Sequence, residues 1–260
     1  MVRRVRIYTE QTLSPDITLS LEPTAATHVA RVLRLRVGDT LWLFNGDGHD
    51  YRARIETVER REVRVRVRER VAVTTEPRRP LTLVQGVSKG ERMDWVMQKA
   101  VELGVTQLVP VLSEYGVVRL EGERRQRRWR HWRGVVIAAC EQSGRAVLPS
   151  LAPVSELSDW LSHVEEGPHE LRLVLHPGAQ TPLPAVDAPA GGVCLAVGPE
   201  GGWSEAELEA LEVRGFRRVS LGPRVLRTET AALAALAAVQ TLWGDWGERA
   251  SENLTAPPRD

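Results

Sequence analysis

Gly198-Pro199-Glu200-Gly201-Gly202 follows the apolar run Leu195-Ala196-Val197 and leads to Ser204, three residues before Glu207. The run reads as the end of a buried strand. The glycines permit a tight turn and leave backbone N–H groups open to a ligand. Ser204 and Glu207 have the spacing of a capping box, with Leu208 and Leu211 as the apolar face behind them. Strand, bare-backbone loop and helix start together read either as a plain turn or as a ligand site at the edge of an α/β sheet.

Two further junctions repeat the design. Leu171–Leu175 is followed by His176-Pro177-Gly178, and Arg218–Leu221 by Gly222-Pro223 and a loop ending in Arg227-Thr228-Glu229-Thr230. In a parallel sheet such loops share one edge. Together they would form a pocket of backbone donors and acceptors with apolar walls, suited to a neutral adenine-type ligand. Signatures of other chemistries are missing. There is no Gly-Lys-Ser/Thr phosphate loop and no Gly-x-Gly-x-x-Gly opening the first helix. No His/Cys set has metal-ligand spacing, so no metal is expected. No serine hydrolase motif is present.

Alternating strands and helices from Leu81 onward supply the frame for these loops. Leu81–Val84 reads as a strand, and Ser88 with Glu91 as a capping box for a helix reaching about Leu103. Met93, Val96, Met97, Ala100 and Leu103 form its buried stripe, and Gly104 stops it. Val105–Leu112 is the next strand. A long helix spans Arg124–Ser143, with Trp129, Trp132, Val136, Ala139 and Cys140 on one side and arginines on the other. Ser155–Val164 reads as a short helix. Thr228 or Thr230 would cap the last helix, an alanine-rich stretch from Ala231 to Trp246.

Residues 1–73 are different in kind. Leu41–Phe44, the turn Asn45-Gly46-Asp47-Gly48, and Tyr51, Ala53, Ile55 read as a hairpin. Val63, Val65 and Val67 alternate with Arg64, Arg66 and Arg68. With one short helix, Pro23–Arg34, these strands suggest a small barrel. Its arginines, Arg3, Arg4, Arg6, Arg31, Arg34, Arg36, Arg52, Arg54 and the Arg64/66/68 stripe, read as an RNA platform or as a solvated face balanced by glutamates. The stretch Thr74–Pro80 is an expected linker.

Bulk properties bound the rest. The chain has 260 residues, formal net charge +1, and only Lys89 and Lys99 as lysines. It is not a polycation, so clusters of arginine matter more than the total. Two widely separated cysteines, Cys140 and Cys194, read as small core residues. The start of the sequence lacks the apolar core of a signal peptide, and no apolar run is long enough for a bilayer. A cytoplasmic protein with no membrane partner is expected.

The segments QGVSKGERMDWVMQKAVELGVTQLVPV, AACEQSGRAVLP, LAVGPEGGWSEAELEAL and LGPRVLRTETAALAAL resemble successive motifs of the 16S ribosomal RNA uridine-N3 methyltransferase family. HVARVLRLRVGDTLWLFNGDGHDYRA resembles that family's small barrel. The resemblance covers about residues 3–246 in order. It implies a SPOUT-type α/β domain at residues 80–248, with a deep trefoil knot in its parallel sheet and flanking helices. It also implies a PUA-like RNA-binding β-barrel at residues 1–75; residues 249–260 read as a polar tail. S-adenosylmethionine, a homodimer, and 16S ribosomal RNA or the small ribosomal subunit are the implied cofactor, assembly and partner.

Carried over position by position, the resemblance places the cofactor against Leu175, His176, Gly198, Pro199, Glu200, Gly201, Gly202, Leu221, Gly222, Val225 and Leu226. The implied reaction is methyl transfer from a sulfonium to N3 of uracil, whose proton must leave. Arg227 is the implied stabiliser of the developing anion. Glu229 would orient Arg227 or act as the base, unless it is only an acidic residue in a helix first turn. Lys89, Arg92, Gln142 and Arg145 are the implied RNA or site-edge contacts, beside Arg31 and Arg34 of the barrel. One departure stands out: Ser113-Glu114-Tyr115-Gly116 lies where the family shows Ser-Glu-Arg-Ser. Other readings are a SPOUT enzyme acting on tRNA or 23S ribosomal RNA, and a non-catalytic dimeric RNA-binding protein.

Overall fold

The computed structural model describes residues 4–59, 62–164 and 170–247. Arg3 and the expected tail at 249–260 lie outside these described residues. The chain forms two compact units, Met1–Glu76 with Arg133–Pro149, and Pro77–Trp132 with Ser150–Asp260.

The first unit holds β1 (Arg6–Tyr8), β2 (Thr18–Ser20), α1 (Pro23–Thr27), β3 (Thr40–Phe44), β4 (His49–Val58) and β5 (Val63–Ala72). The strands pair in the order β1-β3-β4-β5-β2, parallel only between β1 and β3. Pleating sends alternate side chains to opposite faces. Leu41, Leu43, Tyr51, Ala53, Ile55, Val63, Val65 and Val67 therefore fill one core, while Arg52, Arg54, Arg64 and Arg68 stay exposed. The helix expected over Pro23–Arg34 is shorter. Five α-helical residues widen into a π-type turn at His28–Val32, and Arg34 adopts a positive φ of 54° that a helix cannot contain.

Arg6 is not part of the exposed basic face. It is 8 % exposed and clamps Asp50, itself 6 % exposed, through Nε and Nη2 at 3.0 and 2.7 Å. Its remaining N–H groups donate to the carbonyls of Cys140 and Arg145 at 2.6 and 3.1 Å. Arg145 is also buried, bonded to Glu76 through Nε and Nη2. The other Glu76 oxygen accepts from the N–H groups of Ala146 and Val147. The expectation of an RNA contact at Arg145 is corrected accordingly: its guanidinium is spent inside the protein. These bonds explain why residues 133–149 belong with the first unit, although the sequence boundaries group them with the second.

The second unit holds β6 (Leu81–Gly86), α2 (Glu91–Glu102), β7 (Gln107–Leu112), α3 (Gly122–Ser143, its residues from Arg133 onward belonging to the first unit), β8 (Ser150–Leu151), β9 (Ser155–Glu156), α4 (Leu157–His163), β10 (Leu171–Leu175), β11 (Val193–Val197), α5 (Glu205–Val213), β12 (Arg217–Val219) and α6 (Thr228–Trp243). One parallel sheet runs β12-β10-β11-β6-β7-β8, with β9 also beside β7. Its central strands are buried on both faces, as continuous apolar runs require. Val84, Val109, Val174 and Ala196 meet Leu157, Leu161, Leu208 and Leu211 from α4 and α5. Helices α2 and α6 pack together, and α6 lies against β11. Both cysteines are buried, and burial pushes the Cys140 thiol up to about 12. No helix among the described residues is long and apolar enough to cross a membrane.

Two helix starts differ from the local spacing. The cap of α2 is Gly90, at φ 68°, with no side-chain cap bond; Ser88 donates to the Gly86 carbonyl instead. The cap of α6 is Arg227, and the Thr228 hydroxyl is used elsewhere. The Ser204–Glu207 capping box forms as expected, in both directions.

Removing one partner of a buried ion pair strands the other without compensation. Asp50→Ala is therefore expected to lower unfolding stability by about 3–5 kcal/mol. Equilibrium urea denaturation followed by circular dichroism checks this; an unchanged midpoint and slope would contradict it.

Candidate active site

All strands of the second sheet run the same way, so the loops after β10, β11 and β12 emerge at one edge. They enclose a cavity of about 700 Å³. Every expected cofactor position lines it: Leu175 and His176 from the first loop, Gly198, Pro199, Glu200, Gly201 and Gly202 from the second, and Leu221, Gly222, Val225 and Leu226 from the third. Arg92, Arg227 and Glu229 line it as well. The sequence reading missed Pro177, Val197, Trp203, Val219, Arg224, Thr228 and Ala231, which complete the lining.

What holds the walls together is polar and buried. Gln85, fully buried at the end of β6, donates its amide to the Thr228 hydroxyl at 3.0 Å and the Gly86 carbonyl at 2.9 Å. The Thr228 hydroxyl in turn donates to the Gly198 carbonyl. The second loop and the start of α6 are thereby fixed to the strand end. A glutamine near the end of a mostly apolar strand is the trace of this role in the sequence.

Close approach decides two glycines. A Cβ on Gly86 would lie 2.5 Å from the Pro199 ring and backbone nitrogen. A Cβ on Gly201 would lie 2.7 Å from the Tyr115 Cβ and carbonyl oxygen. Tyr115, at the position where the family pattern differs, thus packs its backbone on the second loop. That segment is tied down by the Glu114 N–H, which donates to Glu207 Oε1 at 2.8 Å.

The charged groups are arranged around α2. Glu200 Oε1 accepts from the Lys89 N–H at 3.0 Å and from Arg92 Nη1 at 2.7 Å. Burial alone would raise this carboxyl. Backbone N–H groups of Glu200 and Lys89 and the Arg92 guanidinium outweigh it and hold it below the usual 4.5. A carboxyl lowered on folding contributes stability above its unfolded value and loses it as pH falls through the folded value. The tie is therefore complete at neutral pH and fades only in acid. Arg92 Nε stands 3.8 Å from Glu229 Oε1, while Glu229 Oε2 is buried and has no hydrogen-bond partner among the described residues. Glu229 thus faces Arg92, and no bond from it to Arg227 occurs among the described residues. Arg227 is exposed at the rim.

The remaining expected RNA contacts fall into separate places. Lys89 is exposed beside the cavity loops in the second unit. Arg31, Arg34 and Gln142 are exposed in the first, and Arg145 is withdrawn into its pair with Glu76. No metal-binding cluster occurs among the described residues.

A parallel α/β unit with a loop-built cavity, joined to a small β-rich unit, defines a class. The RNA methyltransferase domain pattern matches residues 75–240, and the RNA methyltransferase PUA domain pattern matches residues 21–68. The ribosomal RNA small subunit methyltransferase E of Mycobacterium tuberculosis is 37% identical over 228 residues, 86% of this chain and 87% of that protein. The Buchnera aphidicola protein of the same name is 31% identical over 246 residues, 94% and 99% of the two chains. The Neisseria gonorrhoeae ribosomal RNA small subunit methyltransferase E, solved bound to S-adenosyl methionine, is 39% identical with TM-score 0.89, covering 94% and 99%. A Legionella pneumophila methyltransferase, solved with bound SAM, is 40% identical with TM-score 0.89, covering 94% and 100%. The chain belongs to the ribosomal RNA small subunit methyltransferase E family of RNA methyltransferases.

Gly86→Ala is expected to displace the Gly198–Gly202 loop and lower stability by about 1–3 kcal/mol, the range for overpacking a tight site. Thermal unfolding and amide hydrogen exchange check this. Wild-type melting together with unchanged exchange at residues 198–203 would contradict it.

Proposed function

We propose that this protein methylates N3 of a uridine in 16S ribosomal RNA, using S-adenosylmethionine held in the cavity of the second unit. The observation that carries this reading is the convergence of every expected cofactor position on one cavity in a chain of this family. The residues suit the cofactor. Leu175, Val197, Leu221 and Leu226 supply apolar walls, and the Gly198–Gly202 backbone supplies polar groups without side-chain obstruction. Arg92, Arg227 and Glu229 add charged groups to the same lining.

When bound, S-adenosylmethionine supplies an electrophilic methyl group on sulfur. The chain's own task is to bring uracil N3 to it and to remove the N3 proton. Glu229, in the cavity lining, accepts that proton, directly or through water. Arg227, at the rim, stabilises the charge left on the uracil carbonyls. Arg31, Arg34, Gln142 and Lys89 contact the RNA, where arginine forks suit phosphate and base edges. The same reading includes a trefoil knot in the second unit and a homodimer. With ribosomal RNA as substrate, the protein works in the cytoplasm.

Mass mapping of 16S ribosomal RNA tests the reading. Cells lacking the protein should lose N3-methyluridine at one position, and a wild-type copy should restore it; an unchanged level would defeat the claim. An Arg227→Ala copy should fail to restore it. The purified variant should keep S-adenosylmethionine affinity within about tenfold, because a group that acts on the transition state adds little to ground-state binding. Loss of folding in the variant would instead make Arg227 structural.

A further inference from the structure

Glu200 sits among the cavity glycines, yet its carboxylate is occupied elsewhere. Oε1 accepts both the Lys89 N–H and Arg92 Nη1, so one oxygen joins the second loop to the start of α2. Arg92 is in the first turn of α2, and its side chain is 40% exposed. Among the described residues, its guanidinium meets this carboxylate and, more loosely, Glu229. A long side chain with that much exposure loses rotamer freedom only where a partner fixes it.

Arg92 also approaches Glu229, whose side chain is 16% exposed. A mostly buried carboxylate is costly without a compensating cation. Arg92 Nε, at 3.8 Å from Oε1, is the cation that the structure sets against it. The spacing is too long for a hydrogen bond. It compensates charge, while Oε2 is buried without a hydrogen-bond partner among the described residues.

Resting on the methyltransferase reading above, we infer that Glu200 is a positioning residue: it anchors Arg92 beside Glu229, and so keeps that carboxylate compensated and in place at the cavity wall. Its side chain does not hold the cofactor. It acts through Arg92, and Arg92 acts on Glu229. The carboxylate also receives the Lys89 N–H, which keeps the anchor itself in place.

A double-mutant cycle on the full-length protein tests this. Wild type, Glu200→Gln, Arg92→Gln and the double variant are assayed on small ribosomal subunits that lack the modification. The readouts are kcat and KM for N3-methyluridine formation, S-adenosylmethionine affinity by calorimetry, and melting temperature. Each single variant should lower kcat by about 10–100-fold, the scale for a misplaced catalytic constellation. The double variant should be no worse than the poorer single one, since both remove the same link. Cofactor affinity should stay within about threefold of wild type, as expected for a group that binds no ligand. Arg92→Lys, which keeps the charge but not the fork, should recover part of kcat. Losses that multiply, or a cofactor affinity that falls in step with kcat in Glu200→Gln, would overturn the inference while the wild-type activity still upholds the reaction. A wild-type protein inactive on these subunits would overturn both. Should Glu200→Gln fail to fold, Glu200→Asp completes the cycle with the same expectations, because the shorter side chain cannot span to both partners.

Discussion

The Thr228 hydroxyl is the contact on which the site depends. It donates to the Gly198 carbonyl and accepts from the Gln85 amide. Three pieces of chain far apart in sequence, the end of β6, the glycine loop after β11 and the start of α6, are thereby held to one another. Bonds of this kind between buried groups are expensive to leave unmade, which favours a single arrangement of the loops. The second loop is otherwise glycine and proline on either side of Glu200, a run with little side-chain packing of its own. Close approach adds a second restraint. Pro199 rests on Gly86, and Tyr115 on Gly201, so the loop is held at two close contacts.

The arginines divide by burial into two kinds of work. Arg6 and Arg145 are internal. Each satisfies a carboxylate and, in the case of Arg6, two backbone carbonyls as well. They secure residues 133–149 within the first unit. Arg52, Arg54, Arg64 and Arg68 are exposed on the outer face of the strands whose inner face is the core. Arg31 and Arg34 are exposed where the short helix ends. Only the exposed group can meet a phosphate backbone. Net charge of +1 conceals this sorting, because internal pairs and external cations enter the sum alike.

Strand and loop positions were legible because the signals are local. Apolar runs ended by glycine and proline located the three loops, and alternation located the hairpin strands and their core. The Ser204–Glu207 cap also depends only on neighbours. Features that depend on distant partners were not legible in that way. Ser88 and Glu91 have capping spacing, but the chain before α2 is fixed by Glu200, so Gly90 becomes the cap. Thr228 would cap α6 locally, but its hydroxyl serves Gly198. The long α3 has one continuous pattern, and nothing in it marks the residue at which its packing passes from one unit to the other. The pairing of Glu229 with Arg92 rather than Arg227 likewise required the fold.

We place the S-adenosylmethionine site in the three tied loops. Isothermal titration of S-adenosylmethionine into the full-length protein tests it most directly. The expected result is one site per chain with a dissociation constant on the order of micromolar, about −8 kcal/mol. Absence of binding heat, together with no protection of residues 198–203 in hydrogen exchange at saturating ligand, would contradict it.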